Sequence, residues 1–218
     1  MANLKFYFTP GSCSTGIHIL LEEVEVTFEA YLINLIKGDQ YKPEYLAINP
    51  RGTIPSLVTT DGNALTDFVA IALWIAKEYP RSSLLGDNEE QRVAIMEMLD
   101  FATRKVHGEG FTRIFTTDKY TADKVEAEKV REQGVEMVTK DFDWIEKTMR
   151  ENNWHQWKFN IADAALFYIE FWAEQVDIQL PLLCQSHYHK MLKRPTVRQV
   201  LMEEGYHSVI SRHESVAV

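Results

Sequence analysis

Apolar and aromatic residues run from Leu4 to Phe8 and stop at Thr9-Pro10-Gly11, which predicts a short strand ended by a turn. From Cys13 to Val24 the apolar positions Ile17, Ile19, Leu20, Leu21 and Val24 predict a helix. Thr27 to Leu35 reads as a second strand, and Lys37 to Asn49 as a polar stretch with a short helical turn. Ile54 to Thr59 reads as a third strand, and Asp61-Gly62 as a hairpin turn into Ala64-Leu65. Asp67 to Tyr79 carries Val69, Ile71, Ala72, Leu73 and Ile75, again a helical pattern. The order βαβ then ββα predicts an α/β unit over residues 1–80.

The alternation stops at Pro80-Arg81-Ser82-Ser83, and Gly86-Asp87 extends the break, so a domain boundary is expected there. Residues 88–218 then read as all helix, roughly 88–117, 122–150, 161–176, 181–193 and 197–203. The separators are Asn152-Asn153, Gln179-Leu180-Pro181 and Arg194-Pro195. Asn160 to Asp163 reads as a structural capping box. The charge-rich 118–150 helix reads as a solvated face or a dimer flank.

Composition narrows the classes. A length of 218 residues allows one large domain or two small ones. The net charge is −9, from 23 basic and 32 acidic side chains, with no Lys/Arg run. Duplex binding needs a basic patch to displace counterions, so no nucleic-acid partner is expected. No window approaches the roughly 20 apolar residues of a membrane span, and MANLKFYFTPGSCS does not read as a signal peptide. The two cysteines, Cys13 and Cys184, are too few for a disulfide scaffold and too far apart for a cysteine metal site. A reducing, cytoplasmic setting is the expectation. His187 and His189 stand i,i+2, which puts them on different helix faces, so no metal site is expected.

Three segments carry candidate chemistry. In Pro10-Gly11-Ser12-Cys13-Ser14 a thiol falls at a helix start, where amide donors and the dipole favour thiolate. Cys13 could equally be a small packed hydrophobe, and the following Ser14-Thr15-Gly16 brings no second cysteine for dithiol chemistry. In Asn49 to Leu57, Pro55 stands at the entry to a strand, where its missing donor is harmless. A cis bond before it would turn the Ile54 backbone outward for peptide pairing, although trans is the commoner state. In Leu65 to Ile71, Thr66 or Asp67 can cap a helix whose first amides can hold a carboxylate. That segment could also be a plain N-cap.

Taken in order, Pro-Gly-x-Cys-Ser, Asn-Pro-x-Gly-x-Ile-Pro-x-Leu and Leu-Thr-acid-x-x-Ala-Ile resemble the glutathione transferase superfamily, closest to its bacterial beta class. The likeness continues through His107 with Gly110-Phe111-Thr112, Asn160-Ile161-Ala162-Asp163, Arg194-Pro195-Thr196-Val197 and Glu204-Gly205-Tyr206. The resemblance implies an α/β thioredoxin-like N-terminal domain that binds glutathione, then an all-α C-terminal domain with the electrophile pocket. It implies Cys13 beside the glutathione sulfur, Ser14 as a hydrogen-bond donor, and His107 approaching from the helical domain. Glutathione itself would be held by Lys37, the Ile54 backbone, a cis Pro55, and the Asp67–Phe68 turn. Phe8, Phe111 and Trp172 would line the substrate pocket.

Departures from the family pattern are Asp67 for Glu, Phe68 for Ser or Gly, and Gly108-Glu109 after the histidine, an apparent one-residue insertion that displaces the usual lysine. The implied reaction is attack of glutathione thiolate on a small hydrophobic electrophile by a detoxification-type transferase, a homodimer. Glutathione-dependent thiol-disulfide reduction, dehalogenation, ether cleavage or isomerisation on the same fold, and non-catalytic glutathione binding, are the alternatives.

Overall fold

The computed structural model describes residues 3–215, with side chains through 213. Residues 1–2 and 216–218, the outer ends of the two expected domains, lie outside the described residues. Four strands form one mixed sheet: β1 (Leu4–Phe8), β2 (Phe28–Leu32), β3 (Ser56–Val58) and β4 (Ala64–Leu65), in the order β2-β1-β3-β4. The β1–β2 pair is parallel, which requires the crossover helix α1 (Ser14–Glu23), while β1–β3 and β3–β4 are antiparallel. Helix α3 (Phe68–Glu78) packs beside α1, and the short α2 (Pro43–Leu46) lies in the polar stretch.

The central strand β1 and the crossover helix carry much of the buried surface. Phe6, Ile17, Ile19, Leu20 and Leu21 are fully buried, so one face of α1 is apolar because it lies on the sheet. Strand β2 ends at Leu32, short of the expected Leu35, because its parallel pairing with β1 runs out at Phe8. Strand β3 begins at Ser56, after Pro55, which has no N–H to give the ladder.

The second half contains α4 (Glu89–Asp100), α5 (Thr112–Phe115), α6 (Lys124–Glu151), α7 (Ile161–Gln175) and α8 (Leu182–Leu192). Between α4 and α5 the chain continues as a wide, π-type helix over Phe101–Phe111. Helix α7 is buried from Ile161 to Ala173 and forms the centre of this unit. Its start is the expected capping box: Asn160 accepts from Ala162 and Asp163 amides, and Asp163 accepts from the Asn160 amide at 2.9 Å. Helix α6 comes very close to the wide helix, since a Cβ on Gly110 would stand 2.6 Å from Val138.

Two further helices follow, α9 (Pro195–Glu203) and α10 (His207–Ser215), the latter not expected from the sequence. The chain divides into two compact units, Met1–Leu84 with Met191–Val218, and Leu85–Lys190. The tail therefore groups with the α/β unit. Arg194 explains one contact: its guanidinium donates to Glu23 at 2.9 and 2.7 Å, and Thr196 also donates to Glu23.

Candidate active site

The turn after β1 is fastened by its own hydroxyls. Ser12 Oγ donates to the Thr9 carbonyl at 2.7 Å, and Ser14 Oγ accepts from the Thr9 amide at 3.0 Å. The two hydroxyls also meet each other at 2.6 Å. Ser14 is buried and its hydrogen bonds are spent on this turn, so the geometry gives it a fastening role where the resemblance implied a donor to sulfur.

Cys13 is already helical and sits at the first turn of α1. Its Sγ lies 3.7 Å from the Ile54 carbonyl, and the residue is 6% exposed. Burial pushes the thiol up to about 12, the Asp67 carboxylate adds to the rise, and the Cys13 and Ser14 amides pull against it. The expectation of a thiolate-favouring helix start is corrected here: desolvation outweighs the amides, and Cys13 is a neutral thiol at neutral pH. Cys184 is fully buried and its thiol is raised as well, by the same desolvation and by the Glu170 and Glu146 carboxylates.

The Ile54–Pro55 bond is cis. Asn49 fixes the approach to it, its amide donating to the Thr53 carbonyl at 2.7 Å. Tyr45 and Ser56 share a further hydrogen bond of 2.9 Å beneath. Asp67 is the N-cap residue of α3, yet its side chain does not cap. It instead lies 3.6 Å from Arg51, whose guanidinium also donates to Thr66 Oγ1 at 3.0 Å and to the Thr66 carbonyl. The ion pair is exposed, so it orders this corner without adding much stability. Arg51 was not singled out in the sequence; a cation inside the Asn49–Leu57 motif was the signal available. Phe68 is buried, so its ring belongs to the core and leaves the start of α3 uncluttered. Lys37 is exposed on the loop after β2, with its amide donating to Asn34 Oδ1 at 3.0 Å.

Phe8 has a different setting from the one expected. Its ring stacks on Phe6 at 5.3 Å and faces His18 of α1 at 5.5 Å, in a separate cavity lined also by Glu22, Phe28 and Glu203. Strand alternation decides this, because Phe8 shares the face of buried Phe6.

In the helical unit the wide helix and α7 bring together an aromatic group. His107 Nδ1 is 3.2 Å from the Tyr168 hydroxyl, and its ring stands edge-on to Trp172 at 4.9 Å. Phe111 lies 5.3 Å from Trp172, and Phe115 lies 5.4 Å from it. Phe115 is 49% exposed while Phe111 is fully buried, so the group runs from core to surface. Tyr168 and Phe115 were not among the expected pocket residues.

The tail residues hold the Cys13 turn from behind. Glu204 accepts from the Gly11 amide at 2.8 Å and from Thr15 Oγ1 at 2.7 Å, and it meets His18 Nδ1 at 2.9 Å. Gly11 has φ +69°, and a Cβ there would overlap the Tyr206 ring and hydroxyl. The Glu204-Gly205-Tyr206 segment is thus a clamp on the turn that presents Cys13.

The family model described as "Glutathione S-transferase, N-terminal domain" matches residues 11–78. Glutathione S-transferase GstA of Escherichia coli O157:H7 is 32% identical over 211 residues, covering 93% of this chain and 99% of the relative. A sphingomonad glutathione S-transferase solved with glutathione is 26% identical, with a TM-score of 0.75, over 92% of this chain and 98% of that one. A Sulfitobacter glutathione transferase homologue, with bound glutathione, shares the fold at 22% identity, with a TM-score of 0.84 over 93% and 99% of the two chains. The motif turn at Cys13, the Ile54–Pro55 segment and the α3 start lie within the matched region, and the likeness to the E. coli relative spans both units: this chain belongs to the glutathione S-transferase family.

Proposed function

We propose that this chain is a glutathione transferase that joins the thiolate of glutathione to a small hydrophobic electrophile, with glutathione held in the α/β unit. The observation that carries this reading is the meeting of Cys13 Sγ with the Ile54 carbonyl at 3.7 Å, with the Asp67 carboxylate near enough to influence the thiol. One corner thus offers a thiol donor, a backbone segment for the cysteinyl part of glutathione, and the start of α3 for its γ-glutamyl carboxylate. Arg51 orients the Asp67 side of that corner, and Lys37 is the cation assigned to the glycyl carboxylate.

Glutathione's own thiol is mostly protonated at neutral pH, so the work of the site is to favour its thiolate. Each pKa unit removed is worth about 1.4 kcal/mol of thiolate stabilisation. The Cys13 backbone amide, at the start of α1, is the donor offered to that sulfur, since the Cys13 S–H faces the Ile54 carbonyl and the Ser14, Thr15 and Gly16 amides are spent within the turn. The new C–S bond forms as the leaving group departs with its electron pair. Within the helical unit, the aromatic group around Trp172 is an apolar surface suited to a hydrophobic ligand.

Burial of the Cys13 thiol favours conjugation over a reductase that would use Cys13 as its nucleophile, since that role needs the thiolate. Among the described residues no helix is long and apolar enough to cross a membrane. The reading includes a cytoplasmic homodimer, which sedimentation would check.

The test is calorimetry with glutathione, followed by product analysis with an aryl halide, an epoxide and a mixed disulfide. Saturable glutathione binding and a thioether product are expected, with conjugation retained in Cys13→Ala because glutathione brings its own sulfur. No binding at millimolar glutathione, or turnover of the mixed disulfide alone, would overturn the proposal.

A further inference from the structure

A second chemical centre lies in the α/β unit, independent of the glutathione reading. His18 and Glu22 stand i,i+4 on α1, so they share one face. Glu203, at the end of α9, meets them there, and one ligand atom from each of the three lies within 4.8 Å of the others. We infer that His18, Glu22 and Glu203 form a binding site for one borderline divalent transition cation of the Zn²⁺ type.

The donor set is the first support. One imidazole nitrogen and two carboxylates suit Zn²⁺ or a neighbouring first-row ion, whereas Ca²⁺ would take six to eight oxygens. The second support is the orientation of His18. Its Nδ1 is 2.9 Å from Glu204 Oε1, a carboxylate with no exposed side-chain surface. With Nδ1 facing Glu204, the other ring nitrogen, Nε2, faces Glu203 Oε2, 3.3 Å away. A carboxylate behind the imidazole is the usual support of a metal-bound histidine. Rings of Phe6, Phe8 and Phe28, at 5.5 to 5.7 Å, hold the imidazole plane.

The carboxylates are oriented too. The Gln199 amide donates to Glu22 Oε2 at 3.1 Å and to Glu203 Oε1 at 3.0 Å, drawing two like charges toward one point. A cation at that point would offset their repulsion. The adjoining cavity of about 490 Å³ includes His18, Glu22 and Glu203 in its lining, which gives access and room for water to complete the coordination. Linear spacing could not reveal this set, since Glu203 arrives from the tail.

The test uses the full chain in metal-free buffer with Zn²⁺ alone. Calorimetry should show one ion per chain, and thermal melting should show a rise in midpoint with Zn²⁺. Glu22→Gln and Glu203→Gln keep side-chain shape and should each weaken binding by roughly 10-fold or more. His155→Asn, at an exposed histidine of the other unit, should leave binding unchanged. If either glutamine variant fails to fold by circular dichroism, the other decides. No Zn²⁺ binding, or binding unaffected by the glutamine variants, or binding lost in His155→Asn, would overturn the inference.

Discussion

The most direct check on the site is the reactivity of Cys13 in the ligand-free protein. The perturbation is alkylation by iodoacetamide across a pH series, with Cys184→Ala as background so that one thiol is read. The thiol is pushed up to about 12 from a reference of 9.0, with burial the main cause. Only thiolate reacts, so a three-unit rise lowers the reactive fraction at neutral pH by roughly 1000-fold against an ordinary thiol. Burial of the sulfur slows encounter as well, so the absolute rate alone does not separate the two effects. The pH profile does. Intact-mass spectrometry should show the labelling rate still climbing at pH 10, with no plateau. Asp67→Asn removes one source of the rise and should move the profile modestly toward lower pH. A plateau below pH 9, or neutral-pH labelling as fast as free glutathione, would refute the claim that burial outweighs the helix-start amides.

Two stability predictions concern the helical unit. His187 lies between Glu170 (2.8 Å) and Asp163 (3.1 Å), with Trp154 Nε1 donating to Asp163 at 2.7 Å. Burial by itself would lower His187, but Glu170 and Asp163 outweigh it and hold the imidazolium up to about 10, from 6.5. Its stabilisation is therefore fully present below about pH 6.5 and lost as pH rises through 10. Glu170, raised by burial to about 7 from 4.5, acts in the same direction, its share being lost as pH rises from 4.5 through 7. His187→Ala strands the fully buried Glu170 and should cost about 3–5 kcal/mol at neutral pH, while the double change His187→Phe/Glu170→Leu should recover most of it. Denaturant melts check this, and a loss under 1 kcal/mol on the order of a surface change would contradict it. Separately, a Cβ on Gly134 would stand 2.9 Å from Arg113 Cβ and 3.0 Å from the Gly110 carbonyl, so Gly134→Val should destabilise by about 1–3 kcal/mol through overpacking. Unchanged melting would show that α6 can shift freely.

Local pattern was enough to find β1, α1, β4, α3 and the helices around α6 and α7, because period and turn residues are properties of short stretches. The ordered motifs at Cys13, Ile54-Pro55 and Asp67 were legible for the same reason, and so was the Asn160–Asp163 capping box. Helix α10 was not, since its first residues offer only Val209 and Ile210 as buried apolar positions. Nothing local says that residues 191–215 pack with the α/β unit; ion pairs such as Arg194–Glu23 and the Glu204 clamp decide it, across more than 170 positions of chain. Strand length depended on the partner strand, and the face taken by Phe8 depended on the sheet. The Cys13 thiol shows the division most clearly. Its place at a helix start is local and was readable, but its protonation follows from the desolvation that the folded chain imposes. Burial is a sum over every segment packed around an atom, and that sum exists only once the tertiary structure has formed.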